Sequence, residues 1–552
     1  MAPEVTREIC QRTGSKAMLT GSIAALGSQY VIGVKAMNCD TGDLLAEAQE
    51  QAAGKEAVLR ALDTAATDLR GKLGESLSSV QKYTTPLAQA TTPSLEALQA
   101  YSLGVKMDME KGSTAALPFW KRAVELDPNF ARAHAALAIC YVNLNEFGRS
   151  TEEARKAYEL REKVSERERL AIEGIYYMST GELEKAAQSY ELLQKIYPRE
   201  YMTYGNLAFI YIDLGNYEKV LEQDREAMRL EPNSVVNYQN LGAAYVNLNR
   251  LDDAEAVYKQ AEERKMQSEF LIPNRYLLAF LKNDAEQMAQ LASDAMGKSG
   301  TEDILLAYQA DTAAWHGKSK DARELTRRAM DSAERNESKE AAATYQMEAA
   351  LREVEAGDSG QARADANAAI KLAPNFDILA TGALVLARGG DIARAERMAA
   401  ELDKNFRLNM LLQRYWLPTI HAAVALQRKE PNRAIALLTL ASTIELSQAT
   451  YLSVSLCPAY LRGEAYLMLH DGNAAAAEFQ KFREHYGLVG NFPWGALARL
   501  GLGRAYVLET ATNPAARDKA RVAYQDFLAL WKEADPDIPV YKEARAEYTL
   551  LQ

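Results

Sequence analysis

A 34-residue period constrains this chain more than any other feature of its sequence. Tyr177, Tyr211 and Tyr245 recur at this interval, which also separates Pro198 from Pro232. Between these positions apolar residues recur at the spacing of amphipathic helices. Two such helices cannot bury their apolar faces alone, so the period predicts an array of stacked helical pairs.

The repeated unit resembles the tetratricopeptide repeat. Gly174, Ala208 and Gly242 supply the small residue at which this family packs its two helices closely. The resemblance implies a mainly α fold, a tetratricopeptide α-solenoid in which helical hairpins form a superhelix. We assign it to residues 92–552, with the most regular repeats at 167–266 and a capping helix at the C-terminal end. Roughly eleven helical pairs match the residue pattern of this repeat, which we call the template.

The N-terminal segment, 1–80, does not follow the repeat. Period-two alternation at 17–24 and 29–38, followed by a turn and the segment LLAEAQEQ, predicts a three-stranded antiparallel sheet. Apolar residues spaced by three and four predict a helix over 55–73 that covers one face of this sheet. We interpret 1–80 as a small, partial α/β segment and 81–91 as a linker.

Two further resemblances concern the regions outside the regular repeats. Residues 8–62, which begin EICQRTGSKAMLTGSIA, resemble the second half of the TolB-like (FlgO-like) α/β domain. Three other segments resemble the C-terminal region of acidobacterial serine/threonine kinases, or of winged-helix regulators, that carry tetratricopeptide arrays: 73–104, 158–172 and 523–548. In those proteins a kinase or DNA-binding domain precedes this region, commonly with a membrane segment. The resemblance therefore implies a regulatory or sensor region of a larger signalling protein.

The composition disfavours several classes of function. The formal net charge is -11 and the sequence pI is about 5.3, whereas binding to nucleic acid requires a basic surface. No apolar run reaches the roughly 18–20 residues of a membrane span. The sequence therefore predicts neither a nucleic-acid partner nor a membrane span, and it leaves the oligomeric state and the compartment open.

No motif in the sequence predicts catalysis. The chain has no HRD or DFG motif of a kinase and no GxSxG elbow, and its five histidines show no metal-ligand spacing. The four cysteines form no CxxC pair. We expect no enzyme activity, no cofactor and no metal. Cys10 and Cys39 flank a small folded segment, and they pair in an oxidising compartment or stay reduced elsewhere.

Binding through the concave surface is the function that the repeat favours. In such a superhelix the first helix of each unit lines the groove, and the template places six side chains there: Asn206, Phe209, Asp213, Gln239, Asn240 and Asn247. Asn206 and Asn240 either hydrogen-bond the backbone of an extended peptide or bridge adjacent helices of the solenoid. These helices lack the lysines of a carboxylate clamp. The sequence thus predicts a non-catalytic module that binds a protein or a peptide.

Overall fold

The computed structural model describes residues 6–7, 10–11, 15–76, 92–448, 455–510 and 514–552. The predicted linker at 81–91 lies outside these residues, so the proposed boundaries between domains remain predictions. Within the described residues the fold is mainly helical, with one small sheet at the N-terminal end. The predicted fold class is confirmed.

The sheet is an antiparallel meander of three strands, β1 (Ala17–Leu26), β2 (Gln29–Asn38) and β3 (Leu44–Ala52). Helix α1 (Val58–Lys72) packs on β2 and β3 through small apolar residues such as Ala36. Strand β1 lies at the edge, and most of its side chains are exposed on both faces. The sheet also contacts the first helix of the solenoid, because Leu95 joins the apolar cluster around Ile32.

The solenoid begins at α2. Helices α2 to α7 span Leu95–Lys111, Ser113–Leu126, Ala131–Asn143, Phe147–Glu159, Glu166–Ser179 and Leu183–Ile196. Helices α8 to α13 span Tyr201–Asp213, Tyr217–Leu230, Val235–Asn247, Leu251–Glu263, Leu271–Leu281 and Ala285–Ala295. Helices α14 to α19 span Glu302–Trp315, Ser319–Arg335, Lys339–Ala356, Ser359–Leu372, Phe376–Arg388 and Ile392–Asn405. Helices α20 to α27 span Leu417–Gln427, Pro431–Ala441, Cys457–Met468, Gly472–Glu484, Tyr486–Val489, Trp494–Glu509, Ala515–Leu530 and Pro539–Thr549.

Consecutive helices pair into antiparallel hairpins, from α2–α3 through α22–α23 and then α25–α26. In the described part of the chain this is one hairpin more than the roughly eleven that the sequence predicts. The additional unit is α12–α13, in which the large Tyr276 lies on the first helix and the small Ala292 on the second. The preceding unit, α10–α11, has the opposite arrangement, with Gly242 on its first helix and Tyr258 on its second. The template therefore missed this unit.

The turns inside five successive hairpins share one backbone conformation. The residues concerned follow the repeat period and all have positive φ: Gly181, Gly215, Asn249, Asn283 and Gly317. Glycine has no steric penalty in this region, and asparagine tolerates it better than most residues do. The 34-residue period therefore continues through α12–α13, where Asn283 keeps the turn.

The periodic tyrosines hold the two helices of each unit together through contacts with cations. Lys185 Nζ lies 5.2 Å from the ring centre of Tyr177, and Lys219 Nζ lies 4.8 Å from that of Tyr211. In the next unit the guanidinium carbon of Arg250 lies 4.7 Å from the ring centre of Tyr245. A cation over an aromatic face is stabilised by the ring quadrupole. The tyrosine period is thus a packing feature of the hairpins.

The solenoid winds tightly enough for its successive superhelical turns to touch. Ser113, which begins the second helix of the first hairpin, donates its backbone N–H to Glu269, 156 residues later, at 3.0 Å. The backbone carbonyl of Gly181 accepts from Met410 at 2.9 Å. Gly487 N donates to Asn249 Oδ1 at 2.7 Å, across 238 residues. The turns of the early hairpins are therefore bound by segments that lie several units further along the chain.

One of these contacts links two helix N-termini reciprocally. Glu340 accepts hydrogen bonds from the backbone N–H groups of Gly148 (2.6 Å) and Arg149 (3.2 Å) in the first turn of α5. In return, the Glu146 carboxylate accepts from the backbone N–H of Glu340 at 3.1 Å. Each carboxylate satisfies backbone donors that a helix leaves free at its N-terminus. Asn375 also donates to Glu340, at 2.7 Å.

Substitution Glu340→Ala removes the acceptor for these three donors. We expect a loss of about 1–3 kcal/mol in the free energy of unfolding, because partly buried donors are left without a partner. We also expect a larger radius of gyration, since a contact between superhelical turns is lost. Urea titration and small-angle scattering measure the two effects. Glu334→Ala, at an exposed position in the preceding helix, is the control. Equal stability of the two variants would contradict the role assigned to Glu340.

Candidate functional site

A cavity of about 880 Å³ lies inside the superhelix. One wall is formed by the first helices of three successive hairpins, α6, α8 and α10, which are the most regular units of the array. The opposite wall comes from the next superhelical turn, through residues 374–377 and 404–411. The contacts between superhelical turns therefore convert an open groove into a partly enclosed space.

Five of the six side chains that the sequence places in the groove line this cavity: Phe209, Asp213, Gln239, Asn240 and Asn247. Gln239 is buried, and its side-chain carbonyl accepts a hydrogen bond from Ser268 Oγ at 2.7 Å. Asn240 and Asn247 make no side-chain hydrogen bond with any described residue. Their amides are therefore available to a ligand, although the binding role of all six residues remains a prediction.

Asn206 is placed differently from the other five. Its amide Nδ2 donates to the Tyr190 hydroxyl at 3.1 Å, which ties α8 to the preceding hairpin. The described lining of the cavity does not include it. Of the two alternatives that the sequence leaves open, Asn206 bridges neighbouring helices, whereas Asn240, one period later, does not.

Acidic residues outnumber basic ones on the cavity wall. Glu182, Asp213, Asp224 and Asp377 line it, against the two basic residues Lys404 and Arg407. Burial raises the pKa of Asp213 well above its usual range, and the negative charge of Asp377 adds to the effect. Burial, helped by Glu340, raises the pKa of Asp377 to about 7. Asp213 and Asp377, which come from two superhelical turns, therefore both hold their protons to a higher pH than exposed carboxyl groups do.

Asp224 is the most deeply buried of these acids. Its side chain lies on α9 and is 2 % exposed, and burial alone raises its pKa to about 8. A carboxyl group without an ionic partner avoids the cost of burying its charge by holding its proton. At neutral pH the folded protein therefore keeps Asp224 largely protonated.

The second superhelical turn contributes an exposed apolar residue to the site. Residues 406–411 connect α19 to the π-helical turn Leu412–Trp416 that leads into α20. Within this connection Leu408 lines the cavity, yet it is 69 % exposed. An exposed leucine at the mouth of a cavity offers apolar surface to a ligand.

Across the described ranges, no three His, Cys, Asp or Glu side chains are grouped so that they could hold a metal ion. None of the helices in the described part of the chain is both long and apolar enough to cross a membrane.

Comparison with known proteins identifies the repeat type. The family model "Tetratricopeptide repeat" matches residues 236–265, which include most of α10 and α11. No curated protein sequence matches the chain. The chain thus contains a tetratricopeptide repeat, and its hairpins form a solenoid of that type. The comparisons contain no support for a relationship to the acidobacterial kinases or the winged-helix regulators.

Solved structures with similar folds include the Cut9–Hcn1 hetero-tetramer of the APC/C, which is 14% identical and has a TM-score of 0.45. The match covers 84% of this chain and 86% of that chain. Yeast Tom70 is 13% identical with a TM-score of 0.32, covering 82% of this chain and 95% of that chain. The P58(IPK) TPR domain is 16% identical with a TM-score of 0.21, covering 70% and 98% respectively. Likeness at these levels carries no information about a shared partner.

Sequence reasoning missed two parts of the site. Residues 404–411 reach the cavity only because the superhelix closes on itself, and no local pattern indicates this. Asp224, by contrast, could have been found from the period. Tyr190 and Tyr258 lie one period before and one period after it, so an acid there departs from the pattern of its neighbours.

We expect Asp224→Asn to reduce the pH dependence of stability. Between the ordinary carboxyl pKa of about 4 and the folded-state pKa of about 8, the folded state holds a proton that the unfolded state has released. Stability therefore falls as the pH rises through this window, and the fall ends above the folded-state pKa. Asparagine does not titrate, so the variant should lose less stability.

Melting temperatures at pH 5.5 and 8.5 compare the two proteins. The difference between these temperatures should be smaller for Asp224→Asn than for the wild type. Glu222→Gln, at an exposed position on the same helix, is the matched control and should behave as the wild type does. The same pH dependence in all three proteins would contradict the assignment.

The pairing of Cys10 with Cys39, one of the two alternatives that the sequence leaves open, is compatible with the geometry of the N-terminal segment. Their Cα atoms lie 5.7 Å apart, within the usual range for a disulfide. We expect a Cys10–Cys39 cross-linked peptide when the protein is made in an oxidising compartment and mapped by mass spectrometry without reductant. Cys140 and Cys457, which are free and buried, should be found alkylated after denaturation. Alkylation of all four cysteines would contradict the pairing.

Proposed function

We propose that this protein is a non-catalytic interaction module that binds an extended protein or peptide segment in the cavity of its solenoid. The observation that carries this proposal is the continuous space against α6, α8 and α10, lined by aromatic rings and by unpaired amides. Asparagine side chains can donate hydrogen bonds to a peptide backbone and accept them from it, and apolar walls can bind the side chains of the peptide. Asn240 and Asn247 supply such amides, and Phe209 and Leu408 supply apolar surface.

Selection from a library of random nine-residue peptides tests the proposal. Peptides enriched on the immobilised protein should bind Phe209→Ala and Asn247→Ala at least about tenfold more weakly than the wild type, as expected for central contact residues. Leu192→Ala removes an exposed apolar residue outside the cavity and should leave the affinity unchanged. Fluorescence anisotropy measures the affinities. Failure to enrich any peptide, or equal affinity for all variants, would refute the proposal.

A more specific proposal is that the module acts in signalling, as the regulatory region of a serine/threonine kinase or of a winged-helix regulator. The observation in its favour is the edge strand β1, where Leu19, Ile23 and Leu26 are all more than half exposed. Apolar residues on an edge strand favour packing against further structure. The genomic reading frame upstream of Met1 tests this proposal. A frame that encodes HRD and DFG, or a basic recognition helix, supports it, and an in-frame stop codon contradicts it.

A further inference from the structure

Several hairpins are held together by the same pair of residues, a glycine on the first helix and an aromatic ring sixteen positions later on the second. The pairs are Gly104–Trp120, Gly174–Tyr190, Gly242–Tyr258 and Gly463–Phe479. A Cβ atom at any of these glycines would overlap the ring. The ring therefore fills the space that the missing side chain leaves, and the two helices approach closely.

The hairpin α8–α9 departs from this rule at both positions. Ala208 stands where its neighbours have glycine, and Asp224 stands where they have tyrosine. A carboxyl group is much smaller than a phenol ring, so part of the space that a ring would fill remains open. Both Ala208 and Asp224 line the cavity. We refer to the space bounded by Ala208, Asp224 and Asn240 as the Asp224 recess.

The polar atoms of this recess have no partner within the described part of the protein. Asp224 is 2 % exposed, and its carboxyl group makes no hydrogen bond or ion pair there. The hairpin α4–α5 also lacks the ring, but it has the apolar Ala154 at that position, fully buried. Among these units the carboxyl group is thus particular to α8–α9. A buried polar group without a partner is destabilising unless a ligand satisfies it.

Asn240, on the first helix of the following unit, also lacks the partner that its equivalents in other units have. Asn206, Asn240 and Asn274 are separated by one period each, and each lies sixteen positions after the ring or its replacement. Asn206 donates to the Tyr190 hydroxyl, and Asn274 lies close to that of Tyr258. Asn240 makes no such bond with Asp224. The recess therefore offers a ligand both a carboxyl group and an amide.

We propose that the Asp224 recess binds the ammonium or guanidinium group of a lysine or arginine side chain, carried by the peptide segment that occupies the cavity. This inference rests on the proposed function and specifies its ligand. A carboxylate forms its strongest hydrogen bonds with such cations. Asp224 releases its proton to solvent when such a cation binds, because an adjacent positive charge favours the ionised carboxylate. The cavity, at about 880 Å³, is larger than a free diamine requires, which favours a peptide as the source.

Four pools of blocked nine-residue peptides test the proposal, with random residues around a central lysine, arginine, norleucine or glutamate. The pools are applied to the immobilised wild-type protein, and mass spectrometry measures how much of each is retained. Retention of the lysine or arginine pool should exceed that of the norleucine pool at least about tenfold, because a charge-assisted hydrogen bond strengthens binding by about this factor. Asp224→Asn keeps the size of the side chain and should abolish this preference. Glu222→Gln on the same helix should retain it.

A double variant, Ala208→Gly with Asp224→Tyr, fills the recess with the glycine–tyrosine pair of the neighbouring hairpins. It should fold and bind peptides without preferring a basic residue. If Asp224→Asn keeps the preference, or if wild-type protein retains all pools equally, the proposed recess is wrong while peptide binding itself stands. If free cadaverine displaces the lysine pool at equal concentration, the ligand is a small amine and the peptide source is wrong. If no pool is retained, the proposed function fails as well.

Discussion

The architecture depends on contacts between successive superhelical turns. Each contact joins the turn of an early hairpin to a segment several units later, and its chemistry is mostly that of helix ends. The first residues of a helix leave backbone N–H groups without intrahelical partners. In this protein Glu269 and Glu340 accept from such groups at 156 and 192 residues' separation. Because carboxylates also interact favourably with the positive end of a helix, these contacts fix how tightly the solenoid winds. The partly enclosed cavity is a consequence of that winding.

The local structure could be predicted from the sequence, and the winding could not. The 34-residue period specifies helices, turns and packing within a unit, because each of these depends on residues close in sequence. The period continues through Asn283. In that hairpin, however, the large Tyr276 stands where a small residue is usual, and the small Ala292 stands where a large residue is usual. Nothing in the period indicates that Gly148 meets Glu340, since that contact depends on the summed rotation of six hairpins. For the same reason the groove residues on α8 and α10 could be named in advance, but the opposite wall at 404–411 could not.

The contrast between Asn206 and Asn240 shows where a repeat template stops being informative. The two residues occupy equivalent positions, and the template assigns both to the groove. Their surroundings differ because the residue sixteen positions earlier is tyrosine in one case and aspartate in the other. A long phenol reaches its asparagine, whereas a short carboxyl does not. The role of a residue in a repeat therefore depends on its partner in the preceding unit as much as on its own position.

Asp224 also bears on how stability and binding are balanced in this solenoid. At this position an aromatic ring would bury apolar surface and fill the hairpin, as Tyr190 and Tyr258 do in the adjacent units. The aspartate gives up that packing, and burial raises its pKa to about 8, so the fold bears the energetic penalty of an unsatisfied acid. Departures from an otherwise consistent local pattern are expected at functional sites rather than in the scaffold. This departure occurs in the most regular part of the array and faces the cavity. The regular hairpins therefore serve as the rigid frame for one irregular, polar position.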